Sequence, residues 1–424
     1  MATHTLTDLK ESLLAWAAGF DYAVFLDSCQ TDIDRYGEYE FILGVADRET
    51  EICQTWEEVE EKIGAGPPAW WFGSLGYGAR TEFEPNLREE NPAAIPFPKL
   101  VFFQAETVIY QRRGSETIES FPDIALHLAE GTRLPELTVN PEGPLKSNFS
   151  ANEYQETVEA LRQHIREGDC YEINLCQLFH TKADISSPAA LWRRLTAVSP
   201  TPFASFARFR ETYLMGASPE RFLQLSGDRL ITQPIKGTTR RSSDAEEDRL
   251  LSQGLRNSRK EQAENVMIVD LSRNDLYRSS TVDGVQVPHL FEVQSFAKVH
   301  HLVSTIQAQL APEVSPLKAI ANTFPPGSMT GAPKFRTCEL IDQYERHARG
   351  MYAGSVGYFA PNGNFDLNVV IRSMVWHAPS KVLTYHMGGA ITWDSDPLAE
   401  YEETLIKARA IQEVLSGFSY IGGL

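Results

Sequence analysis

The chain has 424 residues, of which 42% are hydrophobic, so it is long enough to bury a large core in two or three domains. Its formal net charge of −18 at pH 7 argues against nucleic acid and anionic membranes as partners. An anionic substrate would therefore have to be held by a local group of cations and metal.

Cysteine usage and the N-terminus indicate the compartment. The five cysteines, at positions 29, 53, 170, 176 and 338, form no Cys-x-x-Cys pair, so neither a disulfide framework nor a zinc site is indicated. The N-terminus lacks the basic start and apolar run of a signal peptide, and no apolar stretch is as long as a membrane span. We expect a soluble, cytoplasmic protein.

The first 145 residues mix helices and strands without regular alternation. Apolar patterning predicts helices at 6–18, 56–63 and 123–129 and strands at 23–26, 40–45, 69–76 and 100–110. Irregular order favours an α+β fold over a doubly wound sheet. A segment rich in proline and glycine, 131–146, is predicted to separate an N-terminal α+β region, 1–145, from a second region, 146–424.

The second region begins at a helix signal. Ser150 and Glu153 form a capping box, and Gly168 is predicted to end that helix. The final helix is predicted to begin at Asp396-Pro397 and to end at Gly417. The elements predicted in between are strands at 171–179 and 205–215, helices at 189–198, 316–322 and 334–348, and a meander of strands at 351–359, 366–376 and 382–392.

A hairpin with a Gly227-Asp228 turn carries Glu220 and Lys236 at its open end. A two-residue turn would pair Glu220 with Ile235, whereas a longer loop or a bulge would pair it with Lys236. We expect the second register, because a ligand can approach the backbone at the glycine after Lys236. The alternative, favoured by these two residues alone, is an exposed surface ion pair.

Two Glu-x-x-Glu motifs indicate a metal. On a helix predicted from Ser258, Glu261 and Glu264 share a stripe with Ile268 and Leu271, and carboxylates that face a core need a cation or strong donors. For ligands that offer only oxygen the natural cation is Mg²⁺.

The second motif, Glu400 and Glu403, lies with Lys407 on one face of the last helix. Taken alone, this face is better explained as solvated, with a Glu403–Lys407 ion pair. Beside the first motif, it would be the other half of a metal site.

The loop at 324–334, Phe-Pro-Pro-Gly-Ser-Met-Thr-Gly-Ala-Pro-Lys, is not a P-loop, because its lysine follows a proline and precedes Phe335. It is either a rigid turn or a ligand-binding loop that presents Ser328 and backbone N–H groups at a helix start.

Taken together, these segments resemble the chorismate-utilising enzymes. The matching motifs are Pro-Ile-Lys-Gly-Thr at 234–238, Glu-Asn-x-Met-Ile-Val-Asp-Leu-x-Arg-Asn-Asp at 264–275, His-Leu-Val-Ser at 301–304, the loop at 326–334, Ile-Arg-Ser at 371–373, and the segment from Gly388-Gly389 to Ala408. The lysine in Pro-Ile-Lys-Gly-Thr resembles the aminodeoxychorismate synthase component I branch of the family. Anthranilate and isochorismate synthases usually carry alanine there.

The resemblance implies a fold and a set of site residues. The fold would be two packed antiparallel sheets with helices outside, to which the N-terminal region contributes strands. Glu264 and Glu403 would ligate Mg²⁺, with Glu261 and Glu400 in the outer shell. The residues that would hold the substrate are His301 and Ser328 at the ring, and Tyr352, Arg372, Gly388, Gly389 and Lys407 at the enolpyruvyl carboxylate.

The resemblance also implies a reaction. Lys236 would attack C2 of chorismate while Glu220 protonates the departing C4 hydroxyl, and ammonia would then add at C4 to give 4-amino-4-deoxychorismate, a precursor in folate synthesis. We expect Lys236 to be buried, with Arg240 or Arg241 helping to depress its pKa. No cysteine has a glutaminase-like Gly-x-Cys-x-Gly setting, so ammonia would come from a separate glutamine amidotransferase subunit.

Some points stay open. Glu172 departs from the family pattern, because isochorismate and salicylate synthases carry a lysine there and amine-transferring members often a glutamine. The nearest alternative function is anthranilate synthase component I. Alternatives of other classes are a non-catalytic effector-binding subunit and a di-metal hydrolase. Family members also bind tryptophan in the N-terminal part, roughly where 25–28 lies here.

Overall fold

A computed structural model of the chain describes residues 5–123 and 132–415. Two large antiparallel sheets with helices around them form an α+β fold, as predicted. Helices and strands are numbered separately, each in chain order. The described helices are α1 (Leu6–Ala17), α2 (Trp56–Val59), α3 (Arg80–Phe83), α4 (Ala151–Glu167), α5 (Pro188–Val198), α6 (Ala245–Asn257), α7 (Arg259–Tyr277), α8 (Pro316–Thr323), α9 (Lys334–Glu345) and α10 (Pro397–Val414).

Both sheets take strands from the N-terminal and from the second region. The first sheet comprises β1 (Tyr22–Asp27), β2 (Tyr39–Ala46), β6 (Thr107–Arg112), β7 (Ile118–Phe121), β8 (Val139–Pro141), β9 (Lys146–Ser147), β10 (Glu172–Ile185), β11 (Phe203–Phe209), β12 (Thr212–Ser218), β18 (Gly331–Ala332), β21 (Ser373–His377) and β22 (Val382–Ile391). The second sheet comprises β3 (Ile52–Cys53), β4 (Trp71–Leu75), β5 (Leu100–Gln104), β13 (Arg221–Ser226), β14 (Arg229–Gln233), β15 (Ile235–Arg240), β16 (Ser280–Ser295), β17 (Val299–Leu310), β19 (Ser355–Phe359) and β20 (Phe365–Asn368).

The two sheets pack directly on each other at one end. Val24 and Ile42 of the first sheet belong to one buried apolar cluster with Phe72 and Phe103 of the second. The contact is close, because a Cβ on Gly44 of β2 would lie only 2.3 Å from the Phe72 ring. A second cluster buries α1, α5 and α10 against the first sheet, so helices cover its other face.

Local helix signals are confirmed where the structure describes them. Ser150 Oγ accepts a hydrogen bond from the backbone N–H of Glu153, and the Glu153 carboxylate accepts one from the Ser150 N–H, which completes the predicted capping box. Gly168 ends α4 with φ 86°, in the left-handed region that favours glycine. Asp396 caps α10 through the N–H of Ala399. The predicted helix at 123–129 and the predicted helix end at Gly417 fall outside the described residues, except for position 123.

Two predicted strands are wrong in the same way. The run at 100–110 is two strands, β5 and β6, which belong to different sheets. The run at 366–376 likewise divides into β20 and β21 in different sheets, so the predicted meander at 351–392 does not form. In both places the chain crosses from the second sheet to the first. The second crossing brings 369–372 to the region between them.

Helix α6 was not predicted. Of its side chains only Leu255 is buried, although Asp244 at its N-terminal cap and the i, i+4 pair Leu251 and Leu255 are local helix signals in the sequence. None of the helices within 5–123 and 132–415 combines the length and the apolar character needed to cross a membrane.

Candidate active site

A cavity of about 420 Å³ opens where β15, α7, β22 and α10 meet. Its volume lies in the range of ordinary small-molecule sites. Every predicted site residue except Gly389 lines it: Glu220, Lys236, Glu261, Glu264, His301, Ser328, Tyr352, Arg372, Gly388, Glu400, Glu403 and Lys407. Gly389 lies beside it, since a Cβ built there would be 3.2 Å from the Glu400 carboxylate.

Lys236 is buried, as predicted, with 8% of its surface exposed. Its Nζ lies 2.5 Å from Oε1 of Glu172 in an ion pair. Burial disfavours the charged amine, but the attraction of Glu172 outweighs this effect and raises the pKa of Lys236. The predicted depression of this pKa is therefore wrong. Arg240 and Arg241 pair instead with Glu247 and Asp248 on α6.

The register between Glu220 and Lys236 differs from the prediction. The turn has two residues, since Ser226 pairs with Arg229, but a bulge between Arg221 and Gln224 inserts one extra residue on β13. The bulge moves Arg221 opposite Gln233, so Glu220 does not pair with Lys236. The two side chains still line the same cavity. The exposed surface ion pair is excluded, because both residues are buried.

Glu220 has the environment of a general acid. It is 4% exposed, and its Oε1 accepts a hydrogen bond of 2.5 Å from Ser328 Oγ. Burial raises its pKa to about 7, although the Ser328 hydrogen bond and the charge of Lys236 act in the opposite direction. A carboxyl group with this pKa is protonated in a substantial fraction of molecules at neutral pH, so it can donate a proton.

Both Glu-x-x-Glu motifs line the cavity, Glu261 and Glu264 from α7 and Glu400 and Glu403 from α10. Burial raises the pKa of Glu264 to about 7, and burial and the charge of Glu403 raise that of Glu261. Glu400 is 6% exposed, so the solvated-face interpretation of α10 fails at this residue. It holds at Glu403, which is exposed and forms the expected ion pair with Lys407. Carboxylates crowded in this way are a site that a divalent cation would stabilise.

The cavity also offers cations and donors to an anion. Arg372 lies at the crossing between β20 and β21 with φ 51°. Within the described residues its guanidinium has no side-chain hydrogen bond and no ion pair, unlike Arg221 of β13, which is paired with Asp34 and Asp366. Lys407 Nζ donates to the Gly388 carbonyl at 2.9 Å and pairs with Glu403.

His301 and Tyr352 complete the wall. Nδ1 of His301 lies 2.8 Å from the Thr238 hydroxyl. Burial lowers the pKa of His301 to about 3, so the ring is neutral near pH 7. Tyr352 stacks on His386 with ring centroids 4.8 Å apart. The cavity therefore holds an amine, an acid, a carboxylate cluster and an unpaired guanidinium.

Comparison with known proteins identifies the family. Residues 16–413 match the family described as chorismate binding enzyme, which is most of the chain. The chain belongs to this family.

Characterised relatives show the same membership. The chain is 38% identical over 347 residues to aminodeoxychorismate synthase component 1 of Klebsiella aerogenes, covering 80% of this chain and 76% of that protein. It is 37% identical to aminodeoxychorismate synthase of Streptomyces griseus, covering 81% of this chain but only 50% of that relative, so it spans half the length of that protein. The crystal structure of anthranilate synthase component I from Streptococcus pneumoniae has a TM-score of 0.71 at 27% identity and covers 92% of this chain and 89% of that one.

Some residues of this cavity were not predicted from the sequence. In the sequence, Glu172 stands out only as a departure from the family pattern. The structure places it against Lys236. Lys260 lines the cavity 3.8 Å from Glu264, and Asn174 lines it from β10. For Lys260 a sequence signal existed, since Lys260 and Glu264 stand at i and i+4 on a predicted helix. The positions of Asn174 and of the Glu172–Lys236 contact are set by the pairing of distant strands. No local sequence pattern therefore predicts them.

A second cavity, of about 60 Å³, lies between strands of the two sheets and is lined by Val356 and Tyr358 among others. Leu26, Asp27 and Ser28, from the segment that corresponds to the tryptophan site of some family members, also line it. Phe25 points the other way and packs on Trp192 at 5.7 Å.

Proposed function

We propose that this chain acts in the cytoplasm as an aminodeoxychorismate synthase component that converts chorismate and ammonia to 4-amino-4-deoxychorismate. The observation that carries the proposal is that Lys236 and Glu220 line one cavity, with the amine buried and the pKa of the acid raised to about 7. An amine nucleophile and a general acid are what the displacement of the C4 hydroxyl needs. The names of the Klebsiella aerogenes and Streptomyces griseus relatives support the same activity.

The cavity fits a dianion of this shape. Arg372 would bind the enolpyruvyl carboxylate, together with Lys407, Tyr352 and the backbone at Gly388 and Gly389. His301 and Ser328 would line the ring. Although the protein is acidic overall, it thus offers an anionic substrate one local group of cations and hydrogen-bond donors, as the net charge required.

The carboxylate cluster fits a magnesium ion. Glu264 and Glu403 would hold it, with Glu261 and Glu400 around them. The donors are all oxygen, and burial raises the pKa of Glu264 and Glu261 even though neighbouring lysines act in the opposite direction. A bound Mg²⁺ would neutralise the ring carboxylate of chorismate and fix its orientation.

Ammonia would come from a separate glutamine amidotransferase subunit. The relative in Klebsiella aerogenes is named component 1, which agrees with a two-component enzyme. With the product passed to a lyase, the chain would serve the synthesis of p-aminobenzoate and folate.

Anthranilate synthase component I is the second candidate, because the Streptococcus pneumoniae structure carries that name and covers nearly the whole chain. Lys236 is the feature that opposes it, since a buried amine in the cavity wall supplies a nucleophile that pyruvate elimination does not need.

Product analysis tests the proposal. The purified chain is incubated with chorismate, Mg²⁺ and ammonium at alkaline pH, and products are separated and identified by mass spectrometry. We expect aminodeoxychorismate from the wild type and its loss, or a shift towards anthranilate, in Lys236→Ala. Lys298→Ala is the matched control, because Lys298 pairs with Glu413 on the surface. Anthranilate from the wild type would make the second candidate correct.

A further inference from the structure

Glu172 stands at the first position of β10 with its side chain almost wholly buried. The strand fixes its backbone, since Glu172 pairs with Ala332 of β18 and the neighbouring Tyr171 N–H donates to the Ala332 carbonyl. Gly331 on β18 has φ 142° and lies so close that a Cβ there would be 2.1 Å from the Glu172 carbonyl oxygen. The backbone of Glu172 is therefore fixed, and an ion pair places its carboxylate against Lys236, which lines the cavity.

Within the described residues, Glu172 is the only carboxylate in ion-pair contact with Lys236. Glu264 and Glu220 also favour the charged amine, but neither lies within ion-pair distance of it. The second oxygen of Glu172, Oε2, is buried and has no hydrogen-bond partner in the described part of the chain. A buried carboxylate oxygen without a donor is a costly place for negative charge, so gaining a proton would relieve it.

The proposed reaction needs such an acceptor. Lys236 attacks as a neutral amine, yet it is paired as a cation and nearly closed off from solvent. Glu220 has to be protonated at the start, because it gives its proton to the leaving hydroxyl. Glu264 would be a ligand of the metal and so would not be free to accept this proton. Glu172 is left as the carboxylate within reach of the amine.

We propose that Glu172 takes the proton from Lys236 before the attack on chorismate and returns it when the amine leaves. This inference rests on the proposed function and adds a third participant to it. The neutral amine forms the Nζ–C2 bond, the two ring double bonds shift, and the C4–O bond breaks as Glu220 gives its proton, so that water departs. Ammonia then forms the C4–N bond and passes one proton to Glu220. The double bonds shift back, the Nζ–C2 bond breaks, and the released amine takes the proton from Glu172.

The alternative is that Glu172 is only a counter-ion that allows Lys236 to be buried. The two roles predict opposite results for Glu172→Gln, which keeps the shape but cannot accept the proton. A mere counter-ion, once removed, would leave more of the amine neutral, so attack at neutral pH would be unchanged or faster. A lost proton acceptor would make it slower, because Glu264 and Glu220 still favour the charged amine.

The test is the first half of the reaction, measured without ammonia. The full chain is mixed with chorismate and Mg²⁺ and quenched at intervals, and intact-protein mass spectrometry follows the adduct, which has the mass of chorismate less one water. We expect Glu172→Gln to form this adduct about 100- to 10,000-fold more slowly at neutral pH. Its rate should rise about tenfold per pH unit below the pKa of Glu220 and level off above it, where loss of the Glu220 proton offsets the gain in neutral amine. Glu172→Asp should recover part of the rate, and calorimetric titration should show chorismate affinity nearly unchanged in both variants.

The outcomes separate the two proposals. Adduct formation by Glu172→Gln at or above the wild-type rate would overturn the role of Glu172 while leaving that of Lys236 intact. Absence of the adduct in the wild type itself would overturn the nucleophile role of Lys236, and the inference about Glu172 with it. Lys236→Ala supplies the baseline without adduct.

Discussion

Ser328 Oγ donates a hydrogen bond of 2.5 Å to Oε1 of Glu220, although 108 residues separate them in the sequence. The bond ties the loop before α9 to the residue before β13 and places the acid on the cavity wall. Because an ionised carboxylate accepts this bond more strongly, Ser328 restrains the rise in pKa that burial imposes on Glu220.

The activity should fall as the pH rises through the pKa of Glu220. With a pKa raised to about 7, the group is protonated below that pH and able to donate, and it loses this proton above it. Ser328→Ala removes a donor to the charged form, so the pKa should rise further and the alkaline limb should move to higher pH. Adduct formation without ammonia, followed against pH, measures this free from the titration of ammonium. A limb that stays in place in Ser328→Ala would contradict the role of this bond.

Replacing Glu220 should lower activity more than replacing its hydrogen-bond donor Ser328. Glu220→Gln keeps the hydrogen-bonding shape but cannot donate a proton to the leaving hydroxyl, so we expect a fall in kcat of about 100- to 10,000-fold. Chorismate affinity, measured by calorimetry, should change little, because the carboxyl group is not among the anion-binding donors. A variant with near wild-type kcat would show that the hydroxyl leaves without this acid.

Arg372 should determine substrate affinity. A charge-assisted hydrogen bond contributes about 1.5–3 kcal/mol, so Arg372→Ala should weaken chorismate binding roughly 10- to 150-fold. Arg372→Lys keeps the charge but loses the bidentate fork, so it should recover only part of the affinity. Calorimetric titration measures both, and Arg409→Ala, an exposed arginine on α10, is the control. Equal affinity in Arg372→Ala and in the control would remove Arg372 from the binding site.

The metal-site proposal gives a matched pair of variants on one helix. Glu403→Gln should weaken Mg²⁺ binding tenfold or more, because it removes one of the few protein carboxylates that such a site uses. Glu402→Gln changes the same charge one residue earlier. Glu402 is exposed, as Glu403 is, but it does not line the cavity. Titration with Mg²⁺ in the presence of chorismate, together with activity after chelation and re-addition, distinguishes them. Similar affinities in the two variants would place the metal elsewhere.

Short-range patterns in the sequence predicted the local elements well. Capping by Ser150 and Asp396 depends only on residues within one helical turn. Such motifs can therefore be predicted without knowledge of the tertiary structure. The helix stripe that carries Glu261 and Glu264 was also readable. The resemblance to a family added the assembly of distant motifs into one cavity, which periodicity alone does not contain.

The predictions that were wrong concern contacts between strands that are distant in the sequence. The apolar run at 100–110 has no glycine or proline to mark its bend, so the change of sheet near Ala105 left no signal. The bulge between Arg221 and Gln224 is set by how β13 fits its two neighbours, not by the turn. The contact between Glu172 and Lys236 joins positions 64 residues apart, and it reversed the expected direction of the lysine pKa.

A buried ion pair beneath the cavity should be essential for stability. Arg349 and Glu345 are 2% and 0% exposed, and their side chains meet at 2.6 Å. Arg349 also donates to the Met329 carbonyl at 2.6 Å and to the Asn174 carbonyl at 3.0 Å, so it joins the loop that carries Ser328 to β10. Glu345→Ala would leave the guanidinium buried without its partner, which typically costs about 3–5 kcal/mol.

Urea denaturation measures this cost as the difference in free energy of unfolding from the wild type. Glu339→Ala on the same helix is the matched control. Its side chain is exposed and, among the described residues, pairs only with Arg336 at the surface. A change within about 0.5 kcal/mol is therefore expected there. Because Arg349 holds the Ser328 loop, Glu345→Ala should also lower activity at temperatures where it is still folded. A stability equal to that of the control would mean that Met329 and Asn174 suffice to hold the arginine, and that the carboxylate of Glu345 is dispensable.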